Sequence, residues 1–564
     1  MKKSSHHFDA LVIGSGLSGS WVAKELCDLG IKTLVLERGK PVEHIKDYPT
    51  AFMDPWEFKH RNQVPSDVLI KNPIASKCYA FKEDTLHLFT PDDVQPYIQE
   101  EPFDWIRCYQ VGGKSLTWAR QVQRWSDFDF NGPKRDGFAV DWPIRYQDIA
   151  PWYSRVEHFI GVSGNKDGLE SMPDGDFLPP FEMNKVERLL QREIERAFPN
   201  RRVIQGRCAH LTELRPIHKK QGRTLCQARS LCQRGCPFGG YYSANASTLP
   251  WAEKTGNLTL RSNAIVHSIL FDPEKNRATG VRVIDAQTRE TTEYFADVLF
   301  LNASTLATNQ ILLNSTSSRF PQGLGNDNGL LGKYITFHNY MGTISGTIDG
   351  HLDSYYYGRR PTQPIIPNFR NVDRQETDFL RGYASFFSAY RTRGTPGDKT
   401  VGGPFKDSLT EAGPWHISMM MQGETIPKEE NHVRLSAEHS DSFGIPQLIT
   451  HVKYDENDVL SRDDFFEQGS MMLDAAGVKN IRTHNSGQNP GLDIHEMGGV
   501  RMGLDPETSL LNKWNQLHSC KNVYVTDGAC MTSTGTQNPS LTFMALAARA
   551  ANHAVEALKK GDLK

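Results

Sequence analysis

Residues 8–39, FDALVIGSGLSGSWVAKELCDLGIKTLVLERG, limit what this chain can fold into more than any other stretch. An apolar strand from Ala10 to Ile13 runs into a glycine turn, an amphipathic helix and a second strand ending at Glu37. In such a unit Gly14 makes the tight turn, Gly16 lets the backbone approach a pyrophosphate, and Gly19 lets the helix lie close on the strand. The helix N-terminus then turns its partial positive charge toward the phosphates. Glu37, 23 residues beyond Gly14, falls where an acidic side chain hydrogen-bonds the adenosine ribose. A glycine triplet alone is a weak signal; strand, glycines, helix, strand and acid in one βαβ unit are a strong one. The segment predicts a dinucleotide site on a parallel α/β sheet, with FAD or NAD favoured over NADP.

The 564 residues suffice for two domains or one interleaved pair. A net charge of −2 gives no electrostatic footprint for nucleic acid or an anionic membrane. No run of about 18 apolar residues is present, so no membrane span is expected. The opening MKKSSHH lacks the apolar region of a secretory signal. The expectation is a cytoplasmic protein or one carried to the periplasm by a partner.

The punctuation of the chain predicts interleaved domains. Residues 40 to 105 are Pro-rich, aromatic and charged, and read as surface excursions. CYQVGGKSLTWARQ is a second glycine turn, with Trp118 placed beside a ring system or packed as core. DWPIRYQDIAPWYSRVEHFIGVSG predicts a Pro-started helix from Pro151 to Gly161, and alternation on either side of Asn276 predicts a hairpin. ADVLFLNASTLATNQILLNS repeats the strand, small-residue turn and helix, returning the chain to the nucleotide sheet. Residues 331 to 490, with loops such as RTRGTPGDKTVGGPF, read as a mainly antiparallel platform.

Of nine cysteines, Cys27, Cys78, Cys108, Cys208, Cys520 and Cys530 stand alone and read as buried small apolar residues. Cys226, Cys232 and Cys236 fall together in the loop GRTLCQARSLCQRGCPFGG. Thiolates this close need a cation or a cluster. The final Cys-Pro resembles the closing step of ferredoxin-type loops, and three ligands without a nearby fourth suit a 3Fe-4S cluster. Zinc completed by Cys208 or His210, or three unligated thiols, are the alternatives.

The last seventy residues hold an active-site wall. IHEMGGVRMG places His495 before a Gly-Gly turn that would let backbone approach a flat ligand, and TQNPSLTF places Asn538 before Pro539. Asn538 also reads as a plain N-cap with proline at the first helical position, and His495 as a structural histidine. Among the remaining histidines His338 is the one to watch, with a satisfied core histidine the simpler reading. Gln422 and Glu424 in MQGETIP could meet sugar hydroxyls or form a solvated turn.

Five stretches together, GSGLSG with Glu37, VGGKSLTW at 111–118, HEMGGVRMG at 495–503, YVTDGA at 524–529 and NPSLTFMALAARAA at 538–551, give the chain its family likeness. In this order it resembles the glucose-methanol-choline (GMC) flavoprotein oxidoreductases over nearly its whole length. The resemblance implies an α/β fold with a Rossmann-like FAD-binding domain built from 1–45, 105–125, 200–335 and 490–564. A mainly antiparallel substrate-binding domain and excursions would take 46–104, 126–199 and 336–489. It implies FAD contacts at Gly14, Gly16, Gly19, Glu37, Gly112, Gly113, Ser115, Thr117, Trp118, Asp527, Gly528 and Asn538. His495 and Asn538 are implied as the catalytic pair. Some relatives carry a histidine that bonds covalently to the flavin just before the tryptophan. Thr117 stands there and cannot form that bond, so the FAD is expected to be non-covalent.

Alcohol oxidation needs a base for the hydroxyl proton while the carbinol carbon is held against the flavin. His495 suits the first task, and Asn538 can orient the same hydroxyl without competing for its proton. Likeness to bacterial sugar dehydrogenases, whose cysteine loop has the same spacing, implies a sugar or glycoside substrate. A 3-keto product, as from glucoside 3-dehydrogenases, is the favoured outcome, with electrons leaving through the Cys226, Cys232, Cys236 cluster. A small subunit with a twin-arginine (Tat) signal and a cytochrome c subunit are the expected partners. The rivals are a gluconate 2-dehydrogenase-like or glucose 1-dehydrogenase large subunit, an oxygen-using pyranose oxidase, and a non-catalytic electron-transfer flavoprotein.

Overall fold

The structure, a computed structural model, describes residues 6–354, 361–393, 401–410 and 412–563. Five residues of MKKSSHH and 394–400 of the loop RTRGTPGDKTVGGPF lie outside the described residues; the end of that loop opens a short helix, Gly403–Thr410.

Strand β1 (His7–Ile13), helix α1 (Leu17–Asp28) and strand β2 (Thr33–Leu36) form the expected βαβ unit. Ala10 to Ile13 and Thr33 to Leu36 are buried throughout, as befits strands covered on both faces. The chain leaves this sheet for more than two hundred residues and returns as β3 (Leu258–Arg261), β4 (Ala264–Asp272), β5 (Arg277–Asp285) and β6 (Thr291–Leu301). The order is β3-β2-β1-β6-β5-β4, and Val523–Val525 also pairs with β6. β3, β2, β1, β6 and Val523–Val525 run parallel, while β4 and β5 are the antiparallel hairpin expected around Asn276. After β6 comes helix α2 (Thr305–Asn314), the predicted strand-turn-helix return.

The second sheet is antiparallel. Its strands are β7 (Gly342–Ile348), β8 (Pro364–Ile366), β9 (Tyr383–Arg393), β10 (Ala412–Glu424) and β11 (Lys479–Asn485), ordered β11-β7-β10-β9-β8. Ile204–Gln205, expected with the nucleotide-binding segments, instead adds an edge strand beside β8, because its backbone pairs with Pro364 and Ile365. Helix α3 (Glu456–Ala475) covers one face, with Phe465, Met472 and Leu473 packed on Ile344, Tyr383 and Met419.

The C-terminal helix α4 (Ser540–Lys560) lies against α1 and the helix Tyr146–Ile160. Its buried alanines, 545, 547, 548, 550, 551, 554 and 557, present little bulk and allow close approach. Tyr146–Ile160 begins five residues before the predicted proline start. The Arg145 backbone N–H donates to Asp148 Oδ2 at 2.8 Å, which fixes the first turn upstream and leaves Pro151 inside the helix. Among the described residues no helix is long and apolar enough to cross a membrane.

Candidate active site

A cavity of about 1100 Å³ runs from the carboxyl ends of β1, β2 and β6 to one face of the antiparallel sheet. Open α/β sheets place their ligand sites at such strand ends. Of the residues expected to hold the cofactor, Gly14, Gly16, Glu37, Gly113, Ser115, Thr117, Trp118, Asp527, Gly528 and Asn538 line it. Gly19 and Gly112 stand behind the wall. A Cβ on Gly19 would lie 2.0 Å from the Gly14 carbonyl oxygen, and one on Gly112 1.7 Å from Asn245 Oδ1. Gly16 differs: a Cβ there would meet no protein atom within 4 Å and would project into free space. Gly14 has φ +97° and packs against Asn302.

Glu37 is held rigidly. The Ser15 backbone N–H (3.1 Å) and hydroxyl (2.6 Å) donate to Oε2, and the Gly39 N–H donates to Oε1 at 2.8 Å. Burial pushes its carboxyl up and these donors pull it back. Ser15 was not anticipated from sequence, yet its Oγ also accepts the Gly112 N–H at 2.9 Å, joining the two glycine turns.

At the other end stand the C-terminal residues. Thr336 and Met497 exchange backbone hydrogen bonds of 2.9 and 2.8 Å, and the Gly498 N–H donates to the Gly528 carbonyl at 2.9 Å. This bridge sets His338 beside His495, with their Nδ1 atoms 2.9 Å apart, and His338 Nε2 2.6 Å from the Gly535 carbonyl oxygen. Asn538 Nδ2 lies 3.3 Å from His495 Nε2. His495 is partly open to the cavity; its distance from bulk solvent drives its pKa well below the ordinary value, with His338 and Lys114 adding to the fall. Asp493, whose Oδ2 accepts the His338 backbone N–H at 2.9 Å, is pushed up to about 7 by burial.

Three expectations change. The Gly498–Gly499 turn does not approach a ligand: a Cβ on Gly498 would lie 2.2 Å from the Tyr334 carbonyl, and one on Gly499 2.3 Å from Asn309 Oδ1. Asn538 does not cap α4, since Pro539 occupies the cap position, no side chain caps the helix, and the amide turns to His495 instead. Asn538 Oδ1 is buried without a protein partner. Gln422 and Glu424 are in no solvated turn but buried on β10. Gln422 faces the cavity, whereas Glu424 accepts from Arg381 Nε at 2.8 Å. Trp118 both lines the cavity and donates its indole N–H to the Tyr242 carbonyl at 3.0 Å.

The six isolated cysteines are buried as expected, while Cys226, Cys232 and Cys236 are only partly so. Burial raises Cys226 to about 11, and the charges of Cys232 and Cys236 add to the rise. Among the described residues the one group of three metal-ligand side chains with ligand atoms within 4.8 Å of one another is His338, Asp493 and His495. At least one pair of the three sulfurs therefore lies more than 4.8 Å apart, beyond the ~3.8 Å between two ligands of one tetrahedral zinc with 2.3 Å bonds. His210 Nε2 is 3.8 Å from Cys232 Sγ. Gln233, inside this loop, lines the large cavity, as does Arg120, whose charge acts on Cys226.

Residues 9–338 and 427–547 match the N- and C-terminal models described as GMC oxidoreductase. A 2-methyl-1,2-propanediol dehydrogenase from Mycolicibacterium austroafricanum is 28% identical over 98% of this chain and 96% of its own. The fructose dehydrogenase large subunit of Gluconobacter japonicus is 25% identical, over 98% of each. Among solved structures, a formate oxidase variant from Aspergillus oryzae RIB40, studied for FAD modification, superposes with a TM-score of 0.62 at 12% identity, each chain covered fully.

Proposed function

Because the chain belongs to the GMC oxidoreductase family, we propose that it is an FAD-dependent dehydrogenase that oxidises a hydroxyl group of a sugar or glycoside. The observation that carries this is the His495 Nε2 and Asn538 Nδ2 pair, 3.3 Å apart, on the wall of a cavity that reaches back to Glu37. The cavity fits FAD: Glu37 is pinned for a ribose, Gly16 leaves open space for a pyrophosphate, and Thr117, Trp118 and Gly528 edge the space beside His495. Bound there without a covalent link, FAD supplies the hydride acceptor. His495 Nε2 takes the hydroxyl proton, and Asn538 Nδ2, beside it, donates to the oxygen of that hydroxyl and orients it. Gln121, Gln363 and Gln422 beside Tyr340 and Phe386 give the outer cavity the mix of amides and aromatic faces that suits a carbohydrate.

Cys226, Cys232 and Cys236 would hold a 3Fe-4S cluster that supplies one-electron transfer to an acceptor such as a cytochrome c subunit. The position of this loop beside the cavity, whose wall includes Gln233, supports a route for electrons between the two. Assembly with a small Tat-signal-bearing subunit, and residence in the periplasm, belong to the same proposal; the fructose dehydrogenase relative is itself named a large subunit. The diol dehydrogenase relative favours a second substrate reading, a small branched diol.

The test is an anaerobic titration of purified protein with glucosides, gluconate, free hexoses and 2-methyl-1,2-propanediol, with iron assayed alongside. Flavin bleaching by a glucoside with a 3-keto product, in protein holding about three irons, is the expected result. Bleaching by the diol alone, or by nothing, defeats the sugar assignment. An iron-free protein making hydrogen peroxide steadily is an oxidase instead.

A further inference from the structure

The two facing imidazoles have one fixed end, the carbonyl oxygen of Gly535, which can only accept. His338 Nε2 lies 2.6 Å from it and must therefore carry a hydrogen. His338 is fully buried, and that burial lowers its pKa to about 4, so the ring is neutral and has one N–H. Its Nδ1 is then a bare acceptor. That atom sits 2.9 Å from His495 Nδ1, and two lone pairs do not face each other at this distance, so His495 Nδ1 carries the hydrogen between them. The remaining nitrogen of His495, Nε2, is left with its lone pair on the cavity side, where Asn538 Nδ2 donates to it at 3.3 Å.

We infer that His338 is a positioning residue: the run from the Gly535 carbonyl through His338 fixes His495 in the tautomer whose Nε2 lone pair faces the substrate. This rests on the reading of His495 as the base. Many enzymes set a catalytic histidine with a carboxylate; here a second neutral imidazole does so. The difference has a consequence. A carboxylate would raise the basicity of His495 and favour a standing positive charge, whereas a neutral acceptor fixes the tautomer while leaving the ring uncharged before substrate arrives. Asp493, with a carboxylate oxygen within 4.8 Å of a nitrogen of each ring, accepts the His338 backbone N–H at Oδ2, and its Oδ1 has no hydrogen-bond partner, so neither oxygen bonds an imidazole. Lys114 and Glu496, 3.6 Å apart, and Tyr340, whose ring meets those of His338 and His495, also stand around the pair. The spacing of His338, Asp493 and His495 is also that of a metal site, but the two Nδ1 atoms are engaged with each other.

The direct test is the nitrogen spectrum of holoenzyme labelled with [15N]histidine, His495 being assigned by its loss in His495→Asn. A pyrrole-type Nδ1 and a pyridine-type Nε2 are expected; the reverse tautomer overturns the inference. Two variants test it kinetically. His338→Asn can place an acceptor where Nδ1 stands, whereas His338→Gln reproduces the donor to Gly535 and removes that acceptor. With FAD content and substrate Kd unchanged, His338→Asn should stay close to the wild-type rate of flavin reduction. His338→Gln should fall by about 10²- to 10⁴-fold, the scale of a wrong tautomer. Equal rates in the two variants would sink the relay. Should both shed FAD, the wild-type spectrum decides alone. The underlying reading is separable: a His495→Ala protein that still bleaches its flavin removes the base whatever the tautomer, and a reversed tautomer with an inert His495→Ala removes only His338.

Discussion

At the scale of single residues the site is a contest between burial and hydrogen bonding, and burial wins for the base. His495 accepts a proton only when neutral, and its folded pKa lies well below the ordinary value. Activity is therefore present above that lowered pKa and lost as pH falls through it, so the acid limb of flavin reduction should lie below about pH 6.5. A pH profile of the limiting reduction rate measures this, and a limb at or above that value contradicts it. His495→Ala should abolish reduction by substrate while the flavin stays bound; persistent reduction removes it from the mechanism. Asn538→Ala should lower the limiting rate by about 10²- to 10³-fold, the usual loss when one oriented hydrogen-bond donor is deleted from a reacting centre. An unchanged rate would return Asn538 to a structural role. That His495 and Asn538 meet on one cavity wall could be expected from the likeness of HEMGGVRMG and NPSLTF to family motifs, while the glycines after His495 turned out to pack on protein. His338 was singled out but read more simply as a satisfied core histidine, since nothing local shows that a strand histidine faces another histidine 157 positions away.

At the scale of elements, the three glycines of the first turn separate into different physical jobs. A Cβ on Gly19 meets the Gly14 carbonyl at 2.0 Å, so Gly19→Ala forces helix α1 off strand β1 and should destabilise the protein by about 1–3 kcal/mol even without cofactor. A Cβ on Gly16 meets nothing in the protein, so Gly16→Ala should leave apoprotein melting unchanged and weaken FAD retention. Thermal unfolding of apo and holo forms of both variants checks the pair, and equal destabilisation of both apoproteins would refute the distinction. The βαβ unit could be read because strand, turn and helix are local patterns. The helix Tyr146–Ile160 was misjudged because Pro151 looks like a start signal, while its first turn is set by Asp148 reaching back to Arg145. The Gly498–Gly499 pair was misjudged for a similar reason. Glycine reports that something comes close, and only the fold shows that it is protein.

At the scale of the whole molecule, the cavity joins two sheets and the cysteine loop. Gln233 in its wall places the loop next to the proposed flavin site. Cys232→Ser should therefore leave substrate reduction of the flavin at its wild-type rate and abolish transfer to a cytochrome acceptor. Loss of both steps, or of neither, would separate the loop from electron transfer. The existence of two sheets was legible from alternation and from the return of the strand-turn-helix pattern. The pairing of Ile204–Gln205 with β8 was not, because a two-residue edge strand leaves no periodic trace.

Strand β1 pairs with β6 some 290 positions on, and β6 pairs in turn with Val523–Val525. The parallel sheet therefore gains its last strand only after residue 525 has been made, and Asp527, Gly528 and Asn538 join the cavity wall long after Gly14 and Glu37. A truncation before Val523, which removes that strand with Asp527, Gly528 and Asn538, should yield no flavin-loaded protein.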